Sequence, residues 1–378
     1  MNIFIEADSI TTERLSGIGH TTVELIHSIE GQIKDTSSVL TLIIPFGKKS
    51  YIEKYKFKNV HIKTLPPGYK YVNYLLVRTS IKLPVDLVYG RGLYIFPNYK
   101  NWYVPFSKSF TFVHDVAYKI FPETIRPNNL KYLQKNMKNW LSRTTKIITI
   151  SNSSKKDIIK FFPEYKDIIE VIHLGVDNKK FHKMNRLEIK TILKKYDIDD
   201  NYIVYVGNIE PRKNIEGLVL AYKKYCDNNA NPAQLLLVGG GGWNDEKIKV
   251  SIQKLQSSGY NINWPKVYVG DEDLPAIYSG ARALVHLSIY EGFGLSLIQA
   301  QACGLFVIAS NLPVFKETTQ PEMIKFVNYN DTDEIAIAIA EAVTNKVGPV
   351  NVKATALTWI DTGSRLLSLA GIKRNTDE

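Results

Sequence analysis

Two stretches limit the fold before any other feature does. Ile147-Ile-Thr-Ile150 and Leu235-Leu-Leu-Val238 are short and apolar on both faces of an extended chain. Strands of that kind belong between two covering layers, as in a parallel sheet with helices on each side. Similar runs recur from end to end, with helical patterns between them. The expected strands in the first half are Asn2–Glu6, Val39–Ile44, Val85–Tyr89, Phe110–Val113, Lys146–Ile150 and Glu170–His173. In the second half they are Tyr202–Val206, Gln234–Val238, Lys266–Val269, Ala283–Leu287 and Leu305–Ala309. Strands and helices alternating in this way predict doubly wound α/β domains.

The chain has 378 residues, and single cores stop growing beyond about 250–300 residues. Two domains are therefore expected. Between Asp177 and Asp200 the chain is polar and Lys-rich, with one short helix at Leu187–Tyr196, and the strand pattern restarts at Tyr202. This reading divides the chain into residues 1–180, residues 181–350 and a closing segment, residues 351–378. The last holds a helical stretch, about Val352–Leu369 with Trp359, expected to pack back across the junction.

Charge is uneven. Residues 1–180 carry 27 Lys/Arg against 15 Asp/Glu, and residues 181–378 carry 21 against 22. A basic first half invites an anionic partner, either a membrane surface or a lipid diphosphate; the plainer reading is solubility. Nucleic acid is not expected, because no reading motif accompanies the charge. Pro67–Arg78, aromatic and basic, is the stretch expected to touch an anionic membrane, or else to pack as an ordinary amphipathic helix. No run reaches the roughly 18 apolar residues of a spanning helix. Glu6 and Asp8 interrupt any signal-peptide core. Cys226 and Cys303 make neither a disulfide framework nor a zinc site. A cytoplasmic protein, at most docked on the inner membrane face, is expected.

Ligands of open parallel sheets bind at the carboxyl ends of the strands, near helix N-termini, and the unusual residues gather there. Ser16-Gly-Ile-Gly-His20 follows the first strand and opens a helix through Leu25. Its glycines let the backbone approach a phosphate, though such pairs are also common in tight turns. His114-Asp115 ends another strand. A histidine there can bond a sugar hydroxyl or carry a proton, or it can be structural and bonded to backbone. After Val206 comes Gly207-Asn-Ile-Glu-Pro-Arg-Lys-Asn214, with a helix beginning near Asn214. Arg212 and Lys213 so placed can neutralise a leaving diphosphate without a metal.

After Leu287 comes Ser288-Ile-Tyr-Glu-Gly-Phe-Gly-Leu-Ser296. Gly292 and Gly294 let the main chain bend around a ligand, Glu291 projects toward it, and a helix starts near Gly294. Asp271-Glu-Asp273 looks like a metal motif, but it precedes Leu274–Ser279, a short helix that an Asp would cap. No Gly-x-Ser-x-Gly, His-Glu-x-x-His or Walker loop is present. Gly239–Gly242 lacks the spacing and downstream acid of a dinucleotide fingerprint, which argues against a dehydrogenase.

Taken together, Ser16–Gly19, His114-Asp115, Ile148–Ser151, His173–Asp177, Asn208–Asn214 and Glu291–Leu295 resemble glycosyltransferase family 4. Its members have the GT-B fold, two Rossmann-like parallel-sheet domains facing each other across a cleft. Glu-Pro-Arg-Lys-Asn looks most like bacterial mannosyltransferase-type enzymes of surface polysaccharide assembly, including lipopolysaccharide.

The resemblance implies a retaining hexosyltransferase that uses a GDP- or UDP-sugar, a glycan or lipid-linked acceptor, and neither metal nor cofactor. It implies that Arg212 and Lys213 hold the diphosphate, Glu291 binds sugar hydroxyls, and His114 bonds the sugar as a further catalytic group. Gly17, Gly19, Gly207, Asn208, Gly270, Leu274, Gly292, Phe293, Gly294, Leu295 and Gln299 complete the expected donor-binding set.

Departures from the family pattern are Gln299 for a ribose-binding Glu, Ser296 and Phe306 for two prolines, and Asn208 where some members carry an Arg. They leave open a weak or inactive relative serving as a partner subunit in glycan assembly. Other GT-B chemistries, an epimerase or a phosphorylase, lack identifiable acid/base groups or a cofactor lysine here.

Overall fold

The computed structural model describes residues 1–69, 83–344 and 357–372. Most of the Pro67–Arg78 stretch, and the start of the closing helical stretch from Val352, lie outside the described residues. Among the described residues no helix is long and apolar enough to cross a membrane.

The chain forms two compact units. The first contains β1 (Asn2–Glu6), β2 (Val39–Ile44), β3 (Val60–Thr64), β4 (Leu93–Phe96), β5 (Lys108–Phe112), β6 (Lys146–Thr149) and β7 (Ile169–Val171). These make one sheet in the order β3-β2-β1-β4-β5-β6-β7, every pair parallel. The second contains β8 (Tyr202–Val206), β9 (Gln234–Val238), β10 (Ile262–Asn263), β11 (Leu284–His286), β12 (Val307–Ser310) and β13 (Ile324–Val327). Their order is β10-β9-β8-β11-β12-β13, again parallel throughout. In both sheets the order reverses beside the first strand, which puts a switch point between β1 and β4 and another between β8 and β11. Residues 117–130 cluster with the second unit, and the segment from Leu357 clusters with the first.

Two expected strands are corrected. Val85–Tyr89 is helical, entered through Pro84. Its buried residue is Asp86, which accepts the Phe106 N–H at 2.7 Å, while Leu87 and Val88 face solvent. Val85 and Tyr89 pack only partly against the core, so the segment lacks the buried apolar run of a core strand. The strand lies further on, at Leu93–Phe96, with all four residues buried. Lys266–Val269 is not a strand either. The edge strand is Ile262–Asn263, and Pro265, which has no N–H for a ladder, follows close behind. The edge strands β3 and β13 are less buried than the central ones, so their alternating polar residues conceal them in the sequence.

The closing helix, Trp359–Ala370, lies along the helix Gly17–Ile33. Ser28 Oγ donates to the Trp359 carbonyl at 2.5 Å, and Ser364 Oγ donates to Gln32 Oε1 at 2.7 Å. A Cβ on Gly363 would sit 2.2 Å from Ser28 Oγ, so a larger residue would displace that hydroxyl from the Trp359 carbonyl. In the second unit, β8, β9 and β11 run through a core that includes Ile203, Tyr205, Leu235, Leu237 and Val285, all buried.

Candidate functional site

The second unit's site begins where β8 ends. Gly207 has φ 151°, and a Cβ there would meet Tyr205 Oη at 2.7 Å. A Cβ on Gly239, at the end of β9, would fall 1.9 Å from the Gly207 carbonyl oxygen. Both strand ends are therefore bare backbone in contact, and the chain leaves them as a tight loop through exposed Asn208. Pro211–Lys213 forms one 3-10 turn, and Asn214 then takes the left-handed conformation at φ 50°. Asparagine tolerates that region. Its Oδ1 accepts the Gly217 N–H at 3.3 Å to cap the helix Ile215–Asp227, and its Nδ2 donates to the Tyr329 carbonyl at 2.8 Å. Arg212 and Lys213 are thereby fixed just ahead of a helix N-terminus, as the sequence predicted.

The neighbouring strand, β11, delivers the acidic partner. Ile289 N–H donates to the Arg212 carbonyl at 2.9 Å, and Arg212 Nη1 donates to the Tyr290 carbonyl at 2.8 Å. Two loops distant in sequence are thus sewn together by main-chain acceptors. Glu291 lies between the cations: Arg212 Nη1 is 3.3 Å from its Oε2, and Lys213 Nζ donates to its Oε1. Glu210 Oε1 takes Arg212 Nη2 at 3.0 Å. The Glu291, Lys213 and Arg212 side chains are 10 %, 14 % and 17 % exposed, so solvent screens these pairs little. Burial by itself would raise the Glu291 pKa, but Lys213 and Arg212 outweigh it and hold the carboxyl well below the usual range.

Behind Glu291 stand two groups that sequence reasoning missed. Ser288 Oγ donates to Glu291 Oε1 at 2.8 Å, and His286 Nε2 is 3.2 Å from the same oxygen. His286 is buried, stacked on Tyr205 with ring centroids 5.8 Å apart, and met edge-on by Phe315 at 5.8 Å. Burial pushes its pKa down. The available signal was a lone histidine inside the otherwise apolar strand Ala283–Leu287.

Gly294 precedes the helix Leu295–Ala302 with φ 93°, and a Cβ there would meet Phe315 Cε1 at 2.7 Å. Conformation and packing both demand glycine. Among the described residues no side chain caps this helix; the Leu297 N–H donates to the Gly294 carbonyl at 3.0 Å, and the earlier amides, at Leu295 and Ser296, stand at the helix start. Gly292 and Phe293 are buried in the bend, while Leu295 and Gln299 are half-buried.

Gly270 and Leu274 belong to a different set of contacts. Gly270 N–H donates to Tyr196 Oη at 3.4 Å, and Leu274 is buried. The expected cap by Asp273 is corrected. Asp273 occupies the N-cap position of the helix Leu274–Gly280 but caps nothing with its side chain. Its Oδ2 accepts from Lys195 Nζ at 2.7 Å and Tyr196 Oη at 2.6 Å instead. Pro275 early in the helix removes an N–H that an N-cap would bond, and the Asp273 backbone is helical rather than extended.

In the first unit, Ser16 Oγ caps the helix Gly17–Ile33 by accepting the Gly19 N–H at 3.2 Å. The two glycines differ. A Cβ on Gly19 would meet the Ser9 carbonyl oxygen at 2.9 Å and Leu15 at 3.0 Å, whereas one on Gly17 would meet nothing within 4 Å among the described residues. Gly19 is a packing glycine, and Gly17 is the one open to a ligand. His114 follows β5, buried, with Nε2 2.7 Å from the Pro97 carbonyl oxygen. Burial lowers its pKa, more than the Pro97 contact raises it. Of the two readings given above, the backbone-bonded one describes Nε2. A proton on Nε2 leaves Nδ1 as an acceptor.

Residues 188–357 match the family model of glycosyl transferases group 1. Over 252 residues the chain is 31 % identical to the O-antigen chain mannosyltransferase B of Escherichia coli, a match covering 64 % of each. It is 28 % identical over 250 residues to the serotype-specific mannosyltransferase WbdA of Escherichia coli, covering 61 % of this chain and 29 % of that protein. The match thus spans under two thirds of the length of either relative. Among solved structures, Anabaena Alr3699/HepE in complex with UDP and glucose superposes with a TM-score of 0.70 at 15 % identity, covering 98 % of this chain and 99 % of that one. The sucrose-phosphate synthase of Thermosynechococcus elongatus does so with a TM-score of 0.68 at 18 % identity, covering 97 % of each. Residues 188–357 are thus similar to the glycosyl transferases of group 1, and in fold the chain has two Rossmann-like parallel-sheet units of the GT-B type.

Proposed function

We propose that the chain transfers a hexosyl group, mannose by the analogy of its relatives, from a nucleoside-diphosphate sugar to a glycan or lipid-linked acceptor, with retention and without a metal. The observation that carries this reading is the joining of Arg212, Lys213 and Glu291 at the switch point between β8 and β11. Glycosyl transfer from such a sugar leaves a diphosphate, and the charge that develops on it needs fixed cations. Arg212 is held in place by the Tyr290 carbonyl and Glu210 before any ligand arrives, so little reorganisation is required. Lys213 has three N–H donors and can keep Glu291 while meeting a phosphate oxygen. Glu291, kept ionised by the same cations, accepts from hydroxyls of the sugar. The start of the helix Leu295–Ala302 adds a further anion-binding edge.

In the same proposal Gln299 bonds the nucleotide ribose less strongly than a carboxylate would, and His114 offers Nδ1 to a hydroxyl. The basic first half meets the anionic surface on which a lipid-linked acceptor is carried. The test is product stereochemistry: GDP-mannose and UDP-glucose are each supplied with a mannosyl acceptor in the presence of EDTA, and the new anomeric proton is followed by NMR. An α-linked product from an α-linked sugar donor is expected. A β-linked product, or transfer only after a divalent ion is restored, would overturn the corresponding part.

A further inference from the structure

His286 has a direction that its burial alone does not explain. Its Nδ1 is buried and has no hydrogen-bond partner among the described residues. A proton there would strand a donor, at a cost of about 1–3 kcal/mol. It would also turn the Nε2 lone pair toward the carboxylate oxygen 3.2 Å away. A proton on Nε2 avoids both, leaving a bare lone pair beside the apolar walls of Tyr205 and Phe315. Ser288 Oγ, 2.8 Å from Glu291 Oε1 and 3.0 Å from His286 Nε2, then gives its single proton to the carboxylate. Oε1 therefore accepts from Lys213, Ser288 and His286 together, while Oε2 has Arg212 at 3.3 Å.

We infer that His286 is a positioning residue: as the neutral Nε2–H tautomer it helps to commit Oε1 of Glu291 to the protein and so presents Oε2 to the transferred sugar. The inference rests on the function proposed above. It assigns to His286 an effect on recognition of the sugar and none on recognition of the diphosphate.

The test is calorimetric binding of GDP-mannose and UDP-glucose, and of GDP and UDP without sugar, to wild type, His286→Leu and His286→Gln. The glutamine amide nitrogen lies as many bonds from Cα as His286 Nε2 does and can donate to the same oxygen. For whichever nucleotide wild type accepts, His286→Leu should weaken the sugar-bearing form about tenfold, as loss of one charge-assisted bond does. The free diphosphate should change by less than about twofold, and His286→Gln should stay within about threefold of wild type throughout. Equal weakening of both ligands without rescue by glutamine would make the ring a mere structural prop and overturn the inference, as would no effect of leucine at all. Should His286→Leu not fold, Ser288→Ala gives the same comparison, with about a threefold loss expected on the sugar-bearing form alone. Wild type binding neither form would overturn the function proposal itself, a result separable from all of these.

Discussion

Arg212 Nη1 donates to the main-chain carbonyl of Tyr290 at 2.8 Å, and Ile289 returns an N–H to the Arg212 carbonyl at 2.9 Å. The two loops that carry the charged groups are therefore one unit, and Glu291 sits in it as the counter-ion rather than as a free carboxylate.

Replacing Glu291 should separate stability from chemistry. Glu291→Gln leaves Arg212 and Lys213 facing each other in a poorly screened place, which should cost about 3 kcal/mol in chemical denaturation. Transfer should fall about a hundredfold or more, the scale for one electrostatic contact to a transition state. Steady-state rates at saturating sugar donor check this; an unchanged kcat would contradict it.

Arg212→Lys keeps the charge but loses the fork that spans Tyr290, Glu291 and Glu210. Lysine cannot hold three acceptors in one plane. The expected result is a drop of at least about tenfold in kcat/KM, with the far-ultraviolet circular dichroism unchanged.

The glycines make a sharp stability contrast. Gly19→Ala must push against the Ser9 carbonyl oxygen and Leu15, and Gly294→Ala must take φ 93° against Phe315. Each should cost about 1–3 kcal/mol. Gly17→Ala has open space and a helical position, so it should be neutral or slightly stabilising. Equal losses in all three thermal melts would contradict these assignments.

Glu6, at the carboxyl end of β1, is buried, and burial raises its pKa to about 7, with Asp8 adding to the rise and Lys100 opposing it. A raised folded-state pKa contributes stability below the unfolded value near 4.5 and loses it as pH rises to about 7. His286 and His114, with depressed values, work the other way: their contribution is whole above about 6.5 and is lost as pH falls. Glu6→Gln should therefore stabilise the protein more at pH 8 than at pH 5, with a difference of up to about 3 kcal/mol. A shift independent of pH would show that Glu6 ionises inside the fold as readily as in the unfolded chain, with no raised pKa.

Legibility in the sequence followed burial for most strands, the buried central strand Leu93–Phe96 being the exception. Strands apolar on both faces, such as Leu235–Val238, were read with their ends correct, because two covering helix layers leave little choice. Strands β3 and β13 were missed because an edge strand needs to be apolar on only part of its surface. Arg212, Lys213 and Glu291 were legible because a glycine bend and a helix start mark each loop. His286 and Ser288 were not, since their contact with Glu291 depends on how the chain bends between the end of β11 and Glu291, which no spacing announces. The Asp273 cap failed for a similar reason: Lys195 and Tyr196 come from another helix and its end, and they claim the carboxylate first.

The Arg212–Lys213–Glu291 cluster is proposed as a diphosphate-sugar site that works without a metal. Its most direct test is calorimetric titration of GDP-mannose and UDP-glucose, in EDTA, into wild type and Lys213→Met. Saturable binding of one of the two to wild type, weakened about tenfold or more by the substitution in a protein with an unchanged circular dichroism spectrum, is the predicted result. No binding to folded wild type in EDTA, or equal binding to both proteins, would contradict it.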